Sequence, residues 1–318
     1  MGRFIARRLV QAIPTLLGVL VITFLLTRLS PADPVTLAFG GDPTVTAEDK
    51  NGLREALGLN EPLYVQFWVW ATRVARLDFG SSFFYHRPVL QLLFERVPNS
   101  LQLSLLALVL TVVIGVPLGA LAAFNRGKAI DHAVRVFSVA GHAIPTFWFG
   151  LMFVLVLGVQ LRWFPIGSMN AIGKDADVLD RAWHLVGPVF VLAISGIAGL
   201  PRILRTEMLE VIAQDYVRTA RGKGLGERAV VARHVLRNAL IPVVTLFGGI
   251  LGIFFSGSLI VETVFNWPGL GRLTYEAALS KDYPMLQAAV LIASTLLILS
   301  YILRDIAYAW ADPRVQFR

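Results

Sequence analysis

RILRTEMLEVIAQDYVRTARGKGLGERAVVARHVLRNALIP, residues Arg202 to Pro242, is a polar, basic stretch set between two strongly apolar ones. Eight of its residues are basic (Arg202, Arg205, Arg218, Arg221, Lys223, Arg228, Arg233 and Arg237) and four are acidic (Glu207, Glu210, Asp215 and Glu227), an excess of four positive charges. A long cationic loop in an apolar chain belongs on the cytoplasmic side of a membrane. From Glu207 to Ala220 the apolar residues Met208, Val211, Ile212, Val217 and Ala220 are spaced to share one helix face. Gly222, Lys223, Gly224 and Gly226 break that run, because glycine accepts the positive φ of a sharp turn. A second helical run follows from Glu227 to Ala239, and Pro242 opens the next apolar stretch. The pattern predicts a helix, a glycine turn and a second helix projecting into the cytoplasm. A plain solvated loop obeying the charge rule would have a similar composition.

Composition sets the frame around this stretch. Of 318 residues, 56% are hydrophobic and 16% charged, and the mean hydropathy is +0.65. That is an integral membrane protein with one membrane domain. A formal charge of +8 would suit nucleic acid, but the bases gather at membrane-adjacent ends, where topology and anionic lipid account for them. The absence of cysteine excludes disulfides and thiolate metal sites.

Arg3, Arg7 and Arg8 precede an apolar run from Leu9 to Leu29, long for a signal peptide and followed by no small-residue cleavage site. It is expected to be an uncleaved first transmembrane helix with a cytoplasmic N-terminus. Residues 30–100 are too mixed to span a membrane and carry two more acids than bases, as an external segment permits. Thr46 should cap one helix there, ending near Gly58. Pro62 should start another, with Leu63, Phe67, Trp70 and Val74 on one face. A segment of this length predicts a small outer subdomain. Further spans are expected at Leu101 to Phe124, with Gly115 and Gly119 offering close helix contact; at about Val136 to Leu161, interrupted by Pro145; at Leu185 to Leu200; at Leu240 to Val261; and at Met285 to Leu303. Six spans with both termini inside satisfy the charge rule at every loop.

These last five spans contain no Asp, Glu, Lys or Arg. A proton- or sodium-driven carrier generally needs ionisable or coordinating groups near the membrane midplane. His142 is the exception, expected to be a neutral histidine bonded to a neighbouring helix. Arg28 and Glu262 fall at span ends, where snorkelling would explain them. No Gly-x-x-x-x-Gly-Lys-Ser/Thr loop is present to cradle ATP. Energy for transport would therefore come from another subunit.

The run Tyr216-Val217-Arg218-Thr219-Ala220-Arg221-Gly222-Lys223-Gly224 resembles the cytoplasmic coupling motif of ABC importer permeases, and more narrowly that of the dipeptide/oligopeptide-type family. Ala220 and Gly224 keep the motif's spacing, while Arg218 and Thr219 stand where its Glu and first Ala would be. Leu57 to Tyr64, Asp78-Phe79-Gly80-Ser81-Ser82 and Arg87-Pro88-Val89 resemble the family's external segment, with Leu77 in place of a usual glycine. Val261 to Arg272, Asp282-Tyr283-Pro284 and Asp312-Pro313-Arg314 extend the similarity over nearly the whole chain.

The resemblance implies an all-α polytopic protein with the six-helix type I ABC importer permease fold. Its parts would be a first helix at 1–29, an extracytoplasmic subdomain at 30–100, a core at 101–311 with the coupling loop at about 202–240, and a cytoplasmic tail at 312–318. It implies a non-catalytic subunit of the bacterial or archaeal inner membrane that binds no metal or cofactor of its own. Its partners would be ABC ATPase subunits carrying ATP and Mg, a second homologous permease, an extracytoplasmic solute-binding protein and membrane lipid, with no nucleic acid. Tyr216, Arg218, Thr219, Ala220, Arg221, Gly222, Lys223 and Gly224 would contact the ATPase, with Ala220, Gly222 and Gly224 allowing close approach. Glu262, Asn266, Trp267 and Pro268 would lie at an external gate or binding-protein dock, or form a packed re-entrant turn. Cargo stays open among di- and oligopeptides, glutathione, nickel complexes and oligosaccharides. A proton-coupled secondary transporter and a docking scaffold are the readings from other classes.

Overall fold

A computed structural model describes residues 2–29, 35, 39, 45–56, 58–174, 177–240 and 258–311. Among them are α1 (Gly2–Arg28), α2 (Ala47–Ala56), α3 (Leu63–Ala75), α4 (Val89–Phe124), α5 (Ala129–Ala143) and α6 (Thr146–Met152), the last continuing as a π-helix over Phe153–Gln160. They are followed by α7 (Val178–Ile212), α8 (Asp215–Gly222) and α9 (Glu227–Val230), which runs on as a π-helix over Val231–Leu236. The order closes with α10 (258–264), α11 (Leu270–Leu279) and α12 (Tyr283–Ala311). No strand is present among the described residues.

Among the described residues four helices are long and apolar enough to cross a membrane: α1, α4, α7 and α12. They fall on the first, second, fourth and sixth expected spans. The third is not one continuous helix, because α5 and α6 are bent by 95° where Pro145 interrupts the run. Proline lacks the N–H and disfavours helical backbone in the residue before it, so the helix ends at Ala143. The fifth expected span, Leu240 to Val261, lies largely outside the described residues, as do Asp312-Pro313-Arg314 and the 312–318 tail.

Contacts group the described residues of Met1–Ser100 with those of Pro268–Ile298, and those of Leu101–Trp267 with those of Leu299–Arg318. The segment expected as an outer subdomain, 30–100, falls in the first of these groups. In the first unit Val89, Leu92 and Leu93 of α4 share a core with Leu270, Leu273 and Ala277 of α11 and Met285, Ala288 and Ala289 of α12. Local chemistry sets its short helices. The Thr46 hydroxyl accepts from the Asp49 N–H (3.2 Å) and the Asp49 carboxylate accepts from the Thr46 N–H (2.9 Å), a reciprocal cap at the start of α2. Gly58, at φ +64°, ends the helix with the Leu59 N–H returning to the Arg54 carbonyl (2.9 Å). On α3, Phe67, Trp70 and Val74 are half-buried as expected, but Leu63 is exposed and Gln66 buried in its place.

The same unit holds a polar knot. Asp282 accepts from the Ser82 hydroxyl, the Phe83 and Phe84 N–H groups (3.2 Å each) and the Met285 N–H (3.3 Å). The Tyr85 hydroxyl donates to Glu276 (2.6 Å), which also pairs with Arg272 (2.7 Å). Burial, with that bond to Glu276, pushes the Tyr85 phenol up to about 12.

In the second unit α4 and α7 meet at glycines. A methyl group at Gly119 would stand 2.9 Å from Leu204 Cβ and 3.1 Å from the Pro201 backbone, and one at Gly115 would overlap the Leu200 side chain. Small residues thus let the helix backbones approach, as expected of Gly115 and Gly119. One core joins α4, α6 and α7 through Leu103, Ala107, Phe153, Leu192 and Ile197, with Val261, Phe265 and Trp267. A second core joins Ala123 of α4 and Leu200, Leu204 and Met208 of α7 to α8 and α9, and it fixes the basic stretch.

Candidate functional site

The basic stretch is built differently from its expected form. α7 does not stop at Leu200 but continues through Arg202, Arg205 and Glu207 to Ile212. The helix expected over Glu207 to Ala220 is broken at Ala213 and Gln214, so the apolar stripe is divided between two helices. Met208 on α7 and Val217 and Ala220 on α8 are still buried together, with Val230, Val235 and Ala239 beyond the turn. Packing against one small core requires the chain to turn between Ile212 and Asp215; a straight helix would carry α8 away from it.

α8 is eight residues long, and only its Val217–Ala220 side is buried. Tyr216 is 44% exposed and the Arg218 side chain 80% exposed. Thr219, Arg221, Gly222, Lys223 and Gly224 are exposed as well. Of the eight residues expected at a partner surface, only Ala220 faces inward. Its small size serves the seat of α8 on its own protein. A Cβ at Gly222 or Gly224 would meet nothing within 4 Å, and Gly224 holds the turn at φ +78°.

Arg221 donates from Nε (3.1 Å) and Nη2 (2.7 Å) to the carboxylate of Glu227. This two-point bond closes the turn between α8 and α9 and holds Glu227 below the usual carboxylate range. Arg221 is thereby engaged within the chain. Arg218 pairs only with exposed Asp215 across one helical turn (3.4 Å), a weak surface contact that leaves it available.

A buried ion pair stands behind this projecting element. Arg205 on α7 donates from Nε (2.6 Å) and Nη2 (2.8 Å) to Asp131 on α5, which also accepts from the Gly127 N–H (2.9 Å). The Asp131 side chain is 1% exposed. The pair joins the turn before α5 to the part of α7 that carries α8. In the sequence Arg205 stands among loop charges and 74 residues separate it from Asp131, so nothing local links the partners. The one available signal was an acid among the bases Arg126, Lys128 and Arg135.

The four residues expected at an external gate or dock do not form one exposed patch. Glu262 and Trp267 are fully buried, so burial replaces the snorkelling expected of Glu262. Asn266 is exposed at φ +51°, and its side-chain amide donates to Ser168 Oγ (3.3 Å). The Trp267 N–H returns to the Glu262 carbonyl (2.7 Å) and the Ser168 N–H donates to the Phe265 carbonyl (2.8 Å). These contacts make a packed turn. In the other unit the Pro268 carbonyl accepts from Asn99 (2.8 Å). His142 is exposed in the last turn of α5, and the expected bond to a neighbouring helix is not seen among the described residues.

Residues 115–317 match the family described as binding-protein-dependent transport system inner membrane component, and residues 1–104 match the N-terminal family of such membrane components. The chain is 41% identical to the oligopeptide transport system permease protein AppB of Bacillus subtilis (strain 168), over 100% of both. It is 38% identical to the di/tripeptide transport system permease protein DppB of Pseudomonas aeruginosa (strain UCBPP-PA14), over 98% of both. Its fold resembles a chain of the methionine ABC transporter MetNI in inward-facing conformations, with a TM-score of 0.56, 18% identity and coverage of 70% of this chain and 97% of that one.

Proposed function

Because the chain belongs to the family of binding-protein-dependent transport inner-membrane components, we propose that it is half of the translocation pathway of an ATP-driven importer of di- or oligopeptides. A solute-binding protein delivers the cargo from outside, a second permease completes the pathway, and ATPase subunits holding ATP and Mg supply the energy. The peptide assignment is supported by relatives named as oligopeptide and di/tripeptide permeases over their full lengths.

The observation that carries the mechanism is the seating of α8. A short helix buried on one side against α4, α7 and α9 presents Tyr216, Arg218, Thr219 and Lys223 to the cytoplasm. Such an element acts as a plug for a groove on another subunit. Its inner side cannot slide independently, because Val217 and Ala220 share a close-packed core with Leu204 and Met208. When ATP binding draws the ATPases together, movement of α8 is passed to α7, and the buried Asp131–Arg205 pair carries it on to α5.

Uptake of a labelled tripeptide into proteoliposomes tests this, using the chain with its ATPases, second permease and binding protein. Uptake should require ATP and fall at least tenfold with Arg218→Glu. Uptake that continues without ATP under a proton gradient would contradict it.

A further inference from the structure

A cavity of about 220 Å³ opens in the unit formed by the N-terminal part of the chain and 268–298. The end of α1 contributes Thr27 and Arg28; α3 contributes Gln66, Trp70 and Arg73; the following loop contributes Asp78 and Ser81. We propose that this cavity is a phospholipid headgroup site, taking a phosphoethanolamine group with its phosphate on Arg28 and Arg73 and its ammonium toward Asp78.

Charge comes first. Two guanidinium groups and one carboxylate line the cavity. Neither arginine has a carboxylate partner among the described residues. Arg28 instead lies over the ring of Phe24 (5.4 Å). Guanidinium pairs well with phosphate through its fixed fork of donors. Asp78 spends one oxygen on the Gly80 N–H (3.1 Å) and keeps acceptor capacity on the other. A zwitterion matches this set better than a simple anion.

Position decides between a lipid and a soluble zwitterion. Arg28 ends the first apolar span, whose most apolar window is only 11% buried within the chain. Phe24 of that span packs on Phe67 and Trp70 of α3 at ring distances of 5.4 and 5.5 Å, which fixes α3 at the same level. Tyr64 and Trp68 on α3 are 75% and 69% exposed, the residue types that gather at a membrane–water interface. The cavity thus lies where headgroups lie, beside exposed Leu25, Leu26 and Leu29 that acyl chains can cover. Its volume is below the roughly 300 Å³ at which sites for whole drug-sized ligands begin. A compact headgroup with its tails outside fits that limit; an oligopeptide does not.

The cavity is also built to last. The Gln66 amide donates to the Leu59 (3.1 Å) and Glu61 (2.7 Å) carbonyls, and Gln287 donates to Thr27 (2.6 Å). These bonds hold three walls without using either arginine.

The test is native mass spectrometry of the assembled transporter, delipidated and titrated with phosphatidylethanolamine or phosphatidylcholine, whose quaternary nitrogen cannot donate a hydrogen bond. One phosphatidylethanolamine should be retained at least tenfold more tightly than phosphatidylcholine. Asp78→Asn, which takes the carboxylate from the ammonium, should abolish that preference, and Arg28→Gln/Arg73→Gln should weaken retention of both lipids at least tenfold, each with an unchanged melting temperature. Arg73→Gln alone, at an exposed position, should weaken retention of both lipids several-fold if the double variant misfolds. Equal retention of both lipids, a preference unchanged in Asp78→Asn, or a retention unchanged in Arg73→Gln, would overturn the proposal. So would displacement of the lipid by a millimolar dipeptide, which would assign the cavity to a soluble zwitterion.

Discussion

Arg205→Met is the sharpest perturbation of the contact between α5 and α7. It removes both guanidinium bonds, at 2.6 and 2.8 Å, from a carboxylate that is 1% exposed. Asp131 keeps the Gly127 N–H at 2.9 Å and Arg135 at 3.6 Å. Breaking a buried pair by deleting one partner costs about 3–5 kcal/mol, because the survivor is left charged and dry. Arg205 is 19% exposed and Arg135 remains close, so the low end applies, about 3 kcal/mol. At roughly 2–4 °C per kcal/mol the melting temperature of the purified chain should fall by about 6–12 °C. Asp131→Leu/Arg205→Met removes both charges and leaves only the Gly127 N–H without its acceptor, a cost of about 1–3 kcal/mol. The double variant should therefore melt above the single one. A single variant that melts with the wild type, or a double variant no better than the single, would refute the reasoning.

Leu77 holds φ +61° while 58% exposed, so Leu77→Gly relieves about 1–2 kcal/mol of left-handed strain and loses little packing. After the added flexibility of glycine, a net gain of about 0.5–1 kcal/mol should appear as a higher melting temperature. Gly119→Ala places a methyl 3.1 Å from the Pro201 backbone, which cannot give way as a side chain can. It should cost about 1–3 kcal/mol, read in the same melting assay. Tyr85 has a folded pKa of about 12 against about 10 when unfolded. Its stabilising contribution is whole below pH 10 and is lost as pH rises through 12. Tyrosinate absorbance should show one phenol ionising later than the others, and Tyr85→Phe should remove that late step.

Much of this architecture was legible because lipid imposes simple rules. Uncharged runs and flanking arginines located α1, α4, α7 and α12, and Gly115 and Gly119 announced a close contact that the structure places against α7. Pro145 marked an interruption, but composition carries no angle, so the 95° bend could not be read. The end of α7 was misplaced for a related reason. Charged residues at Arg202 and Arg205 look like a loop when judged by hydropathy, yet a helix that leaves the membrane can keep its hydrogen-bond ladder in water. The apolar stripe from Met208 to Ala220 was correctly seen as one buried face. Two helices with a turn between them satisfy that stripe as well as one helix does, and only the core decides. Leu77 stood out as a departure from the family's glycine, and its positive φ gives the physical content of that departure. Glu262 and Asp131 illustrate the opposite limit, since burial of a charge depends on residues far away in sequence.

The chain contains no cysteine, which allows a direct test of the coupling helix. Arg218→Cys creates a single thiol on the exposed side of α8, and Leu179→Cys creates one at an 82% exposed position at the start of α7. Each would be labelled with a photo-crosslinker in membranes containing the whole transporter. The account predicts that the label at 218 captures an ATPase subunit, with a yield that changes when ATP is added, and that the label at 179 does not. Capture of the ATPase from 179 and not from 218 would contradict it.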